Sequence, residues 1–106
     1  MTLTVLDQRR AALLREEAHS LQAAGRDAEA IAKYVESSRL EPDRMETYYN
    51  LGLIYKYQAN WEKSFECNQS ANRLRPDDPG ARWNLAIAAT ALRRWDVARR
   101  IWRNIG

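Results

Sequence analysis

The chain has 106 residues, 45% of them hydrophobic and 29% charged, with 17 Lys and Arg against 14 Asp and Glu. That is the length and composition of one ordinary globular domain, and it excludes a disordered or low-complexity chain. One cysteine and one histidine leave no disulfide framework and no metal-ligand cluster, and no run of about 18 apolar residues is present to cross a membrane.

Charge is unevenly placed. Residues 1–78 carry 11 basic and 13 acidic side chains, whereas residues 79–106 carry 6 basic (Arg82, Arg93, Arg94, Arg99, Arg100, Arg103) and only Asp96 as an acid. A basic end on a near-neutral body could meet nucleic acid or an acidic partner, but arginines on a solvated helix face explain it as well. The first residues, Met1 to Asp7, lack a basic stretch followed by an apolar one, so no secretory leader is expected and the cytoplasm is the default location.

In chain order, the first helix closes at Gly25 and the chain restarts near Asp27. The second helix ends before Pro42. Asp43-Arg44-Met45-Glu46 then reads as a capping box, an acidic N-cap with Glu three residues on. Tyr48, Leu51, Leu53, Ile54 and Tyr55 recur at helical spacing until Gln58-Ala59-Asn60 breaks the helix, with Asn60 able to cap the next. Phe65, Ala71 and Leu74 continue a helical stripe to Pro76, and Asp78 with Pro79 opens the fifth helix. The last helix runs toward Ile101-Trp102-Arg103-Asn104-Ile105-Gly106. The expectation is six antiparallel helices of roughly 11–20 residues in an all-α fold, since nothing alternates with the period of a strand.

These elements repeat. Pro42 and Pro76 are 34 apart, as are Leu40 and Leu74, Asn50 and Asn84, and Trp61 and Trp95; Ala18, Gly52, Ala86 and Ala30, Ser64, Ala98 are triplets at the same spacing. So many coincidences at one period mean internal duplication. The expected organisation is one domain over 1–106, with repeats at 11–44, 45–78 and a shortened 79–106. The small triplets let the two helices of a repeat approach closely. The aromatic residues Tyr34, Tyr48, Tyr55, Phe65, Trp61, Trp95 and Trp102 are expected to fill gaps between repeats.

A 34-residue helix–turn–helix period resembles the tetratricopeptide repeat (TPR). The second repeat carries it best, through Tyr48, Leu51, Gly52, Tyr55, Ala71 and Pro76; the first does so through Ala18, Leu21, Ala30, Tyr34 and Pro42, and the third through Leu85, Ala86, Ala98 and Trp102. Glu17, Asn68 and Arg82 depart from the pattern. The resemblance implies a right-handed α-α superhelix whose first helices line a concave, partner-binding face. Its inward positions fall on Ala12, Arg15, Glu16, His19 and Gln22, then on Glu46, Tyr49, Asn50, Leu53, Lys56 and Tyr57, then on Gly80, Trp83, Asn84, Ile87 and Thr90. Tyr49, Leu53, Tyr57, Trp83 and Ile87 would form an apolar strip. Asn50 and Asn84, one repeat apart, could hold the backbone of an extended peptide, because an amide offers both donor and acceptor.

One variant of the family grips the terminal carboxylate of chaperone tails. Arg15 and Asn50 match its donors in kind, but His19, Gly80 and Asn84 do not, so the converging charged donors a carboxylate needs are missing. Catalysis is equally short of parts. Cys67 has no partner motif, His19 lies near Glu16 in a surface setting, and the glycines are isolated, so no nucleophile with a base, no phosphate loop and no metal site is expected. The expected function is non-catalytic binding of a protein or peptide, without cofactor or membrane. The second reading is nucleic-acid or acidic-partner binding through the basic third repeat. Finally, Ile101, Trp102 and Ile105 lie on the last helix, where a next repeat would normally cover them; either the sequence is a fragment of a longer array, or another copy or a partner covers them. They are expected to form an apolar patch through which two copies weakly associate.

Overall fold

Six helices, Val5–Ala23 (α1), Asp27–Leu40 (α2), Met45–Tyr57 (α3), Trp61–Leu74 (α4), Pro79–Ala91 (α5) and Trp95–Ile105 (α6), make up the computed structural model, which describes residues 4–105. Consecutive helices pack as hairpins, α1 on α2, α3 on α4 and α5 on α6, and each hairpin stacks on the next through α2 with α3 and α4 with α5. α3 also meets α5 directly, so first helices lie side by side along one face.

The 34-residue period is written into the turns. Gly25, Ala59 and Arg93 all adopt left-handed backbone, at φ 77°, 57° and 60°. After each, the next N–H returns to a carbonyl one full turn back: Arg26 to Leu21, Asn60 to Tyr55 and Arg94 to Ala89, each at 2.8 Å. This is the Schellman ending, which satisfies the last carbonyls of a helix and favours glycine at the left-handed position. Only the first turn has that glycine. Substituting Ala59→Gly is therefore expected to stabilise the chain by about 1 kcal/mol, and Gly25→Ala to destabilise it similarly, because a Cβ is disfavoured in this region. A Cβ at Gly25 would touch nothing within 4 Å, so the second effect is conformational alone. Thermal melts check both; an Ala59→Gly variant that melts lower than the parent contradicts the assignment.

Helix starts follow the sequence at Asn60, whose Oδ1 accepts from the Lys63 N–H at 3.3 Å, and at Asp78, whose Oδ2 accepts from Ala81 N–H at 2.9 Å with Pro79 beginning the helix. The expected box at Asp43 is not formed. The helix starts one residue later, with Arg44 as the N-cap of α3, and a guanidinium has no acceptor to offer the helix N–H groups; it donates to Glu41 instead, and the Tyr48 hydroxyl donates to the Pro42 carbonyl at 2.8 Å. A capping box does occur at Thr4 and Asp7, opening α1 well before residue 11.

The core is two clusters. Ala18, Ala30, Tyr34, Leu51 and Ile54 fill the first; Phe65, Leu85, Ala86, Ala88, Ala89, Ala98 and Ile101 fill the second. The small triplets thus sit in the helix contacts. At the middle one, the Ser64 hydroxyl donates to the Gly52 carbonyl at 3.2 Å, and the side chain of Asn68 lies directly over Gly52. Tyr34, Asn68 and Trp102 occupy one position of the period, and the two aromatic residues bond across to the partner helix. The Tyr34 hydroxyl donates to Gln22 Oε1 at 3.0 Å and Trp102 Nε1 to Thr90 Oγ1 at 3.1 Å, whereas the shorter Asn68 donates to the Ser64 carbonyl at 2.9 Å. Trp61 packs on the second cluster as expected of a gap-filler, but Trp95, one period on, is 49% exposed and fills no gap.

Candidate concave binding face

The first helices of the three hairpins present two adjoining cavities. One, of about 510 Å³, lies between α1 and α3 and is lined by Ala12, Arg15, Glu16, His19, Ser20, Glu46 and Asn50. The other, of about 270 Å³, lies between α3 and α5 and is lined by Met45, Glu46, Tyr49, Asn50, Asp78 and Gly80. Glu46 and Asn50 line both, so the cavities form one groove crossing α3. Gly80 makes room in it: a Cβ there would come within 3.1 Å of the Tyr49 ring and hydroxyl. A third hollow of about 300 Å³, at the start of α3, is lined by Gln8, Glu41, Asp43, Arg44, Met45, Glu46, Leu74 and Arg75.

Arg15, His19, Tyr49 and Asn50 are thus brought together. Leu53 and Ile87 are half-buried and line neither cavity of the groove, and Tyr57 is 79% exposed with Lys56 Nζ 5.7 Å from its ring centre. Trp83 is half exposed and meets Trp102 edge to face, with ring centres 4.8 Å apart, so it leans toward α6. Asn84 differs from expectation. It is buried, and its Oδ1 accepts from Lys56 Nζ at 3.3 Å. The reason is the closeness of α3 and α5, which lets the lysine reach across. The pair of open amides therefore reduces to Asn50.

The apolar patch expected at the chain's end is partly covered. Ile101 is 8% exposed and belongs to the second core cluster, and Trp102 packs on that cluster while its indole bonds Thr90. α6 turns Ile101 onto α5 rather than outward. The side chain of Ile105, and Gly106, lie outside the described residues.

Electrostatics within the face are set by a pair that the sequence did not suggest. Arg15 Nη1 lies 2.7 Å from Glu41 Oε1, and Arg44 Nε reaches the same oxygen at 3.1 Å. Burial pushes the Glu41 carboxyl up, but hydrogen bonds and charge from Arg44 and Arg15 outweigh it and hold the group below its ordinary range. The one available signal was spacing: Arg15 and Glu41 are 26 apart, as are Arg10 and Glu36, which also pair, and Ala11 and Ser37, whose hydroxyl donates to the Ala11 carbonyl. Under the groove, burial pushes the Tyr34 hydroxyl up, with the nearby Asn50 amide opposing it. Cys67 is pushed up to about 11 by burial and by nearby Glu66, so it stays a thiol near neutral pH. No helix is long and apolar enough to cross a membrane among the described residues.

The TPR repeat family model matches residues 18–58. The photosystem I assembly protein Ycf3 of Cyanophora paradoxa is 37% identical over 71 residues, 64% of this chain and 41% of that protein. The Ycf3 of Rippkaea orientalis (strain PCC 8801 / RF-1) matches to the same extent. The chain spans about two fifths of the length of these curated relatives. Among solved structures, the Arabidopsis OM64 TPR domain superposes with a TM-score of 0.81 at 14% identity, covering 92% of this chain and 81% of that one. The second TPR of Spaghetti (RPAP3) bound to the HSP90 peptide SRMEEVD gives 0.82 at 15% identity, covering 92% and 85%. The first TPR of the same protein, bound to the same peptide, gives 0.81 at 19% identity, covering 91% and 76%. These likenesses identify the six-helix array as a TPR α-α superhelix. The repeat matched at residues 18–58 and the 34-residue period in the turns agree with that fold.

Proposed function

We propose that this chain is a non-catalytic protein-interaction module that takes an extended segment of a partner protein in the groove across α1, α3 and α5. The observation that carries the reading is the junction of the two cavities at Glu46 and Asn50. It makes one continuous channel, of the concave kind that repeat arrays use for binding. Two of the structural likenesses hold a peptide, which supports a peptide-sized ligand. Residues 11–44, 45–78 and 79–106 are read as the repeats, each supplying one helix to the channel. Arg15, His19, Tyr49 and Asn50 are the contact residues of this reading, with Leu53, Lys56, Tyr57, Trp83, Asn84 and Ile87 continuing the face. Arg15 is engaged with Glu41, which leaves a carboxylate grip of the chaperone-tail kind without its first donor.

The test uses a peptide selected from a random 12-residue display library on the whole chain. Asn50→Ala is expected to weaken that peptide by about 2 kcal/mol, roughly thirtyfold, with helicity by circular dichroism unchanged. Unchanged affinity in that variant, and in Tyr49→Ala, contradicts the groove. A ligand that instead binds α6 through Arg99, Arg100 and Arg103, and is lost steeply as salt rises, would favour the basic-end reading.

A further inference from the structure

The groove carries an unbalanced charge. Glu16, Glu46 and Asp78 line its cavities against one guanidinium, Arg15. That guanidinium is spoken for. Its partner Glu41 is only 5% exposed, and parting the two would strand a buried charge. Glu16 and Glu46 are exposed, and neither enters an ion pair among the described residues. Arg44 and Arg75 share the hollow at the start of α3 with Glu46, but the Arg44 guanidinium is drawn to the buried Glu41. The next cation along α3, Lys56, stands about 15 Å along the helix from Glu46 at 1.5 Å per residue. That exceeds the screening length of about 8 Å at physiological salt, and its ammonium is already bonded to Asn84. Tyr49 adds an aromatic ring in the same cavity as Glu46 and Asp78. A ring face beside carboxylates favours a cation.

We propose that the groove selects a basic segment, an extended stretch of a partner protein whose arginine or lysine is received at Glu46, with Glu16 and Asp78 to either side. The proposal rests on the groove being the binding face; the concavity calls for a ligand and the carboxylates choose its charge. The chain as a whole carries a net charge of +3, so diffuse attraction favours acidic ligands. A preference for basic ones can therefore arise only locally.

The probe is the random 12-residue display library, selected on the whole chain at physiological salt and again on Glu46→Lys. Peptides from the parent selection are expected to be enriched in Arg and Lys over Asp and Glu. They should lose about tenfold in affinity for Glu46→Lys and less for Glu46→Gln. Selection on Glu46→Lys should not return the basic set. If acidic or uncharged peptides dominate but still depend on Asn50, the charge assignment is overturned while the groove stands. If nothing is enriched, or the peptides bind Asn50→Ala and Glu46→Lys as well as the parent, both fall.

Discussion

Replacing Gly52 with leucine is expected to destabilise the chain by about 3 kcal/mol, the upper end of what overpacking costs. The site has no slack. Even a single Cβ at Gly52 would lie 2.6 Å from Asn68 Nδ2 and 3.0 Å from its Cγ. Asn68 cannot step aside freely, since it is fully buried and its amide donates to the Ser64 carbonyl at 2.9 Å. Ser64 is itself tied to the Gly52 carbonyl, so α3 and α4 are held at the distance that glycine permits. For a domain of this size the melting temperature should fall by about 12 °C. The cause can be isolated: Gly52→Ala should cost clearly less in an Asn68→Ala background, because the obstructing amide is gone. A melting temperature equal to the parent's would place Gly52 outside the helix contact.

Tyr34→Ala is expected to cost about 3–5 kcal/mol, the range for emptying an aromatic site in a core. Tyr34 is fully buried among Ala18, Ala30, Leu51 and Ile54, where α2 meets α1 and α3. Tyr34→Phe keeps the ring and removes only the hydroxyl that donates to Gln22, so its loss should be about 1 kcal/mol. Urea unfolding of the two variants separates ring from hydroxyl. Equal losses in both would mean that the hydrogen bond, not the packing, holds the position.

The fold was legible because its constraint is local and repeated. Small residues at one interval and a left-handed stop at another mark each helix pair, and Asn60 and Asp78 cap the helices they were expected to cap. Ala59, inside the expected break, and Arg93, which does not look like a helix stop, both follow Gly25 into the left-handed region. Where the reading failed, a side chain had a distant alternative. The N-cap of α3 falls on Arg44, one residue past Asp43, and a guanidinium cannot accept from the helix N–H groups but does donate to Glu41. Ile101 reads as an exposed end of the repeat, yet α5 covers it within its own hairpin. Asn84 was placed on the open face by its register, which says nothing of a lysine long enough to reach it from α3. The channel itself was visible as a set of inward positions. Its charge was not, because cancelling Arg15 requires Glu41, a residue on the next helix, and only the folded arrangement brings them together.

The central claim, that the face across α1, α3 and α5 receives the partner, is tested most directly by amide chemical-shift mapping of the whole chain with a display-selected peptide. The account predicts perturbations concentrated at Glu16, Glu46, Tyr49, Asn50 and Gly80, with α2, α4 and α6 quiet. Perturbations centred on Arg99, Arg100 and Arg103 of α6, with the groove unchanged, would contradict it.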